Sequence, residues 1–419
     1  MRSAVVLTGV NPHIELIEKL KTRGYQTVLI DSLENPPAKS YADIFINENA
    51  FDEDIVYRIA KDYSASLVIA TNQAVANAVA SAVAEKLGIK PPYPSDIAKM
   101  IERKIEMKER LTAFGVPTAR FKVIDQLDNV SSIDLTYPCV VKGSVSYGSK
   151  GVFRVNDEQE LREAAKRAYE TSLDGRALVE EFCEGAEITA YCFVANGIAR
   201  IIFSNHRFVN DKNGESIMQG YGMVYPAGYS PRIEKNLQDV ANGIVEAFGL
   251  VNTPMMIQAM VNGENINVLE FALRMGGGGS VRHIEACTGF DMMSACIDAF
   301  EGKVPILDWN SPVGYSSTNN FYASRAGIID CYKGLDYVVN SGLADGIALH
   351  RRVGDTTRAT ASSGGRMLTL YISASTIENL LKNIEESVSS IDAFDADGNS
   401  LMDKTLYIKD YDRWASYLR

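Results

Sequence analysis

At 419 residues the chain is longer than one compact domain usually holds, so two or three packed units are expected. Hydrophobic residues make up 46% and charged residues 23%, an ordinary globular composition that needs neither disulfides nor a metal to hold its core. A formal net charge of -11 at pH 7, with no basic stripe or arm, argues against a nucleic-acid partner and fits small-molecule chemistry.

The six cysteines form no CxxC pair and no zinc-spaced cluster with the four histidines, so they read as thiols in a reducing cytoplasm. The opening MRSAVVLTGV turns polar too soon for a signal peptide. The longest uncharged run, 63–84, carries Asn72, Gln73 and Asn77 and reads as strand, turn and helix, not as a membrane span.

The first hundred residues alternate strand and helix signals. AVVLTG, QTVLID and SLVIAT are short apolar strands. PHIELIEKLKTRG, FDEDIVYRIAKDY and QAVANAVASAVAEKLG are helices, the first with Pro12 near its start and Gly24 just past its end. Strands separated by helices predict an open parallel α/β sheet over 1–95. The loop TGVNPH is not G-x-G-x-x-G, which weighs against a dinucleotide site. KPPYPS marks a boundary, followed by a single charged helix, DIAKMIERKIEMKERLTAFG. VPTARFKVID then begins a second unit, 96–310, richer in β signals. NSPVGYSS marks a further boundary before an α+β unit, 311–419, with a helix, TIENLLKNIEESVSSI, and a hairpin turn, DADGNS.

Three stretches carry chemistry. In YPCVVKGSVSYGSKGVFRV a strand ends in Lys142 and a Gly/Ser loop follows. Gly143 and Gly148 have Walker-loop spacing, but Ser149 stands where Lys should and no helix follows, so the helix-dipole logic fails. Either the 143–151 tip folds over phosphates, offering backbone amides, Ser144 and Ser149 hydroxyls and Lys150, or it is a plain surface hairpin. In ALVEEFCEGAEITAYCFV, Glu180, Glu181 and Glu187 are acids suited to ribose hydroxyls, with main-chain groups for an adenine edge; a solvated acidic strand end is the plainer reading. In PMMIQAMVNGENINVLEFALRMGGGG the NGEN turn makes a hairpin that can set Gln258 beside Glu270, twelve positions on. An amide oxygen and a carboxylate form a hard, oxygen-only site suited to magnesium bridging phosphates. Arg274 adds a fork donor for the same phosphates, and the glycines after it keep side chains out of the reaction space.

The order of these pieces resembles the ATP-grasp superfamily over most of the chain: Lys104, the Lys142 strand and its loop, the acidic hinge at 180–183, Glu187, then Gln258, Glu270 and Arg274. RKIEMKERLTAFGVPTARF is similar to the family's helix and GVP lead-in. GGRMLTLYISAST is similar to the small C-terminal sheet of the biotin-carboxylase-like and amino-acid-ligase-like branches. Gln258 as first metal ligand, and ACTGFDMMSACIDAFEGKVP, resemble the carbamoyl-phosphate-synthetase branch.

The resemblance implies an α/β and α+β architecture: an open parallel N-terminal domain, an ATP-grasp fold with a lid over about 120–190, and a small β-rich C-terminal subdomain. It implies that Lys104, Lys142, Ser144 and Ser149 contact ATP phosphates, that Glu180 and the main chain near Phe182 and Cys183 hold adenine, and that Glu187 holds ribose. Gln258 and Glu270 would bind Mg2+ or Mn2+, and Arg274 the γ-phosphate. The implied activity is an ATP-dependent carboxylate–amine ligase, forming a C–N bond through an acylphosphate and releasing ADP and phosphate. Its partners would be a small carboxylic acid and an amine, with no nucleic acid and no membrane; a homodimer is common for such folds. Arg282 is a further catalytic candidate, and Arg282, His283, His206 and Arg207 are candidate anchors for the acid. One position departs: the family's Glu-x-Asn-x-Arg strand reads EFALR here, with Ala272 at the Asn position. That departure keeps open a nucleotide-binding sensor or scaffold with a degenerate site, and the fold keeps open a biotin-carboxylase-like carboxylating ligase.

Overall fold

The computed structural model describes residues 2–125, 130, 134–146, 151–210, 219–276, 279–359, 365–405 and 411–419. Its N-terminal sheet is parallel, as the alternation of strand and helix demands. Four strands, Arg2–Leu7, Tyr25–Asp31, Ile44–Asn47 and Ala65–Ile69, lie in the order third, second, first, fourth. The third was not anticipated, because IFIN is only four residues long and buries none of them fully. Strand order reverses between Arg2–Leu7 and Ala65–Ile69, so the loops leaving their carboxyl ends frame a crevice.

The single charged helix expected after KPPYPS is two helices, Ser95–Glu102 and Lys104–Ala113. Arg103 between them has extended backbone, φ −94° and ψ 102°. Both halves are good helix formers, so propensity gives no sign of the break. The tertiary contact that favours it is visible: the Lys104 amide donates to the Ser144 carbonyl at 3.0 Å, tying the second helix to the lid.

The lid is a four-stranded antiparallel sheet in the order Phe121–Ile124, Ala177–Glu181, Cys139–Gly143, Val152–Val155. The helix Glu158–Thr171 covers one face, burying Leu161, Ala164, Ala165 and Ala168 against Val141, Phe153 and Val179.

The large sheet has eight strands: Asn265–Ala272, Thr253–Asn262, Ala186–Ala195, Ile198–Asn210, Gln219–Tyr225, Tyr315–Tyr322, Arg366–Ala374 and Gly346–Leu349. Its last three strands belong to the C-terminal unit. They continue the central sheet instead of forming a separate one, because Tyr315–Tyr322 pairs antiparallel with Gln219–Tyr225, from Gly222↔Asn319 to Tyr225↔Ser316. The DADGNS segment is the expected turn, with the Asn399 amide donating to Asp395 Oδ1 at 2.8 Å. One core joins the N-terminal sheet to the central unit, with Leu16, Ile17 and Leu20 in the same cluster as Phe290, Met293 and Phe300. Ion pairs ring it, Lys19–Asp291 at 2.7 Å and Arg23–Asp298 at 2.6 Å. Among the described residues no helix is long and apolar enough to cross a membrane.

His13 and His206 are buried in this framework and His283 is mostly buried, and desolvation pulls each from 6.5 to about 4. Each ring is therefore neutral in the fold and charges more readily in the unfolded chain. Between those values the unfolded state binds more protons, so stability is full above pH 6.5 and is lost as pH falls toward 4. Each histidine contributes on the order of 3 kcal/mol over that window. The Tm is expected to fall steeply from pH 7 to pH 4.5 in a thermal-melt series; a flat profile would contradict the buried neutral rings.

Candidate active site

A cavity of about 770 Å³ opens between the lid, one face of the large sheet and the N-terminal crevice. The strands Thr253–Asn262 and Asn265–Ala272 form its floor. Gln258 pairs with Glu270 across this hairpin, and both line the cavity. The register slips just after Gln258, so Ala259 faces Val268 and the residues near Glu270 are re-aimed, a common use of a bulge beside a site. Among the described residues the Glu270 carboxylate has no ion-pair partner within 4 Å. Arg274, two positions past the strand end, also lines the cavity, where its Nη1 donates to the Met275 carbonyl at 3.0 Å.

The opposite wall carries cations. Lys104 opens its helix and its Nζ donates to the Ser146 carbonyl at 2.9 Å. Burial holds its ammonium below the usual range, against the pull of Glu270. Lys142, at the end of a central lid strand, is ion-paired with Glu180 Oε1 at 2.8 Å. Glu180 is itself 2% exposed and also pairs with Lys108 at 3.2 Å. Burial works to raise the Glu180 carboxyl, but Lys108 and Lys142 outweigh it and hold it below the ordinary carboxylate range.

Loops from the N-terminal crevice close the third side, where Asn72 and Gln73 reach the cavity. Asn72 Nδ2 donates to the Gly276 carbonyl at 3.0 Å, and the Met275 amide to the Thr71 carbonyl at 2.9 Å. Asn77 and Tyr93 both donate to the Leu273 carbonyl. The segment entering the glycine run is thus held by four bonds from the first hundred residues.

Residues 135–282 match the family model of the ATP-grasp domain. The chain carries an ATP-grasp domain. A curated relative, the formate-dependent phosphoribosylglycinamide formyltransferase of Ignicoccus hospitalis, is 27% identical over 56% of this chain and 60% of its own length. The chain thus spans about three-fifths of that relative. Among solved structures, the L-amino acid ligase of Bacillus licheniformis matches with a TM-score of 0.79 at 18% identity, covering 94% of this chain and 99% of that one. The biotin carboxylase domain of a 2-oxoglutarate carboxylase from Hydrogenobacter thermophilus, solved with MgADP and bicarbonate, matches with a TM-score of 0.74 at 16% identity, covering 98% and 95%. At these identities the solved structures show a shared fold.

The expected residues divide. Lys104, Lys142, Glu180, Phe182, Cys183, Glu187, Arg207, Gln258, Glu270 and Arg274 surround one cavity. Two acids in it are already committed. Glu180 is shared by two lysines, which leaves it little freedom as a partner for adenine. Glu187, expected for ribose, is ion-paired with Arg207, expected for the acid. Ser144 is a correction: it is fully buried outside the cavity, its amide donating to Arg176 and its carbonyl accepting from Lys104. Ser149, with Gly148 and Lys150 of the same tip, lies outside the described residues.

The remaining candidates for the acid lie elsewhere. Neighbours on a strand face opposite ways, so Arg207 turns to the cavity and His206 away, its ring 4.4 Å from Phe208. His283 stacks on Tyr225 at 4.6 Å and contacts Ser316 and Thr318 hydroxyls at 3.2 Å and 3.1 Å. Arg282 is exposed on the helix Ser280–Thr288, outside the cavity. Ala272 lines the cavity, opposite Met256.

Sequence reading missed Lys108, Asn72 and Gln73. For Lys108 a signal existed: it falls on the apolar stripe with Ile101, Ile105 and Leu111, where a charge needs a buried partner. For the Asn72–Gln73 pair the sheet order supplies the reason, since it places their loop at the crevice.

Proposed function

We propose that this protein is an ATP-dependent ligase that joins a small carboxylic acid to an amine through an acylphosphate. The observation that carries this is the meeting, around one cavity, of Lys104 and Lys142 from the lid side and Gln258, Glu270 and Arg274 from the sheet side. A polyphosphate placed between them meets cations on one wall and an oxygen-only metal pair on the other.

The donor set fits magnesium. Glu270 has no competing ion pair among the described residues, and one carboxylate with one amide oxygen suits an ion held largely by substrate phosphates and water. Gln258 and Glu270 would hold it, and it would neutralise phosphate charge. Lys104 and Lys142 position the phosphates, and the Arg274 guanidinium offers parallel donors to the transferring group. The substrate carboxylate oxygen attacks the γ-phosphorus and the bond to the ADP oxygen breaks. The amine then attacks the acyl carbon, phosphate leaves, and the amine gives up a proton. Phe182, Cys183 and the lid strands shield the site, which protects the acylphosphate from water. Asn72 and Gln73, which line the cavity from the crevice, are neutral groups suited to orienting the second substrate.

The test is ADP release from Mg-ATP, screened against amino acids and small carboxylic acids singly and in pairs, with bicarbonate as a separate acid. A pair-dependent signal is expected. A signal with bicarbonate and an amine alone would move the activity to carboxylation. ATP binding without ADP release from any pair would favour the sensor reading that Ala272 motivates.

A further inference from the structure

Lys108 has no exposed surface, does not reach the cavity and sits in an apolar setting with Ile105, Met107 and Leu111. A methionine would fill that space at no electrostatic cost, so the ammonium calls for a reason. Its Nζ donates to Thr118 Oγ1 at 2.6 Å and is ion-paired with Glu180 Oε1 at 3.2 Å. Thr118 in turn donates to the Val268 carbonyl at 2.7 Å, on the strand that carries Glu270. Glu180 meets Lys142 at 2.8 Å, and of this trio Lys142 and Glu180 line the cavity while Lys108 stands behind them.

Charge balance gives the reason. Glu180 and Lys142 alone form a neutral pair, in which the carboxylate holds the ammonium back from any anion. Lys108 makes the trio positive by one charge and gives Glu180 a second partner. Lys142 can then turn to a phosphate without leaving Glu180 buried and uncompensated, a state that is strongly unfavourable.

We propose that Lys108 is a positioning residue which, through Glu180, sets the charge that Lys142 presents to the phosphates of a bound nucleotide. This rests on the nucleotide reading of the cavity. It also makes the hinge acid Glu180 an electrostatic element, and its coupling through Thr118 ties the Lys142 strand to the Glu270 strand.

The experiment measures affinity for ATP and for adenosine in the full chain, by competition against a fluorescent ADP, for wild type, Lys108→Met, Lys108→Arg and the double variant Lys108→Met/Glu180→Gln. Lys108→Met is expected to weaken ATP roughly tenfold or more, a size typical of losing one close charge, and to leave adenosine within about twofold. The double variant restores the single positive charge on Lys142 and is expected to recover ATP affinity to within about threefold of wild type. Lys108→Arg keeps the charge and is expected to stay near wild type. Equal losses for ATP and adenosine, or a double variant no better than Lys108→Met, would mean that Lys108 only supports packing and would overturn the proposal. If Lys108→Met does not fold, the double variant, which buries no unpaired carboxylate, decides the question alone: wild-type-like ATP binding supports the proposal and loss of it overturns it. Failure of wild type to bind ATP would overturn the nucleotide reading itself, a result separate from any behaviour of the variants.

Discussion

Replacing Glu270 with alanine is expected to abolish magnesium-dependent ADP formation while leaving the fold intact. The two halves of that expectation come from one observation. Glu270 faces the cavity beside Gln258, and no ion pair among the described residues uses its carboxylate. Its removal therefore orphans no buried partner, which is the usual route to a large loss of stability. It does remove the only carboxylate of the pair that would carry the metal, and with it the charge that draws the ion to the phosphates. A loss of about 10³-fold or more in turnover, about 4 kcal/mol of transition-state stabilisation, is the expected scale for losing a preorganised electrostatic group. The check is a coupled ADP assay across a magnesium series, alongside a thermal melt. Glu270→Gln keeps the shape and removes the charge, and is expected to lose nearly as much. Full turnover in Glu270→Ala would remove the metal role from this residue. A collapse of Tm in both variants would make Glu270 a structural acid instead.

That Gln258 and Glu270 meet was legible because a hairpin is a local object. The NGEN turn fixes the register, alternation fixes the faces, and the two side chains follow. The N-terminal parallel sheet was legible for the same kind of reason, since each strand and helix carries its own periodicity. What the sequence hid was partnership between distant segments. Nothing local to EEF says that Glu180 sits between Lys108 and Lys142, or that Glu187 is held by Arg207. Nor does HRF reveal which of His206 and Arg207 faces the cavity, because alternation gives two faces without saying which is which. The break at Arg103 and the extension of the central sheet by Tyr315–Tyr322 share that origin: each is settled by a contact with a remote strand. Placements read residue by residue were therefore clearest where the pattern is a hairpin. They were weakest where a side chain's freedom depends on what stands opposite it.

Gly276→Ala is expected to damage both stability and turnover, more than its chemistry suggests. Gly276 is the first of the four consecutive glycines and is buried, and its backbone does not need the left-handed region. Space is what it needs: a Cβ there would collide with Tyr191 Cε1 and Ser280 Oγ. Tyr191 cannot give way, since it is 2% exposed and its hydroxyl accepts from Asn205 Nδ2 at 3.0 Å. The other escape is for the backbone to lift, which would break the bond from Asn72 to the Gly276 carbonyl and loosen the crevice loop that carries Gln73. Overpacking of this kind costs about 1–3 kcal/mol, and displacement of the Arg274–Gly276 segment is expected to lower turnover roughly tenfold or more. Gly279→Ala is the control. There the added Cβ would meet Tyr371 at an ordinary 3.4 Å and the cost is backbone strain at φ +82°. A positive φ of that kind costs about 1 kcal/mol, with little reason for the cavity to change. Thermal melts and ADP assays on both variants separate the cases. If Gly276→Ala melts and turns over like wild type, the glycine is not required by Tyr191. If it loses turnover while Gly279→Ala does not, close packing at the start of the run is what holds Arg274 against the cavity, and the glycines are there for what must fit beside them.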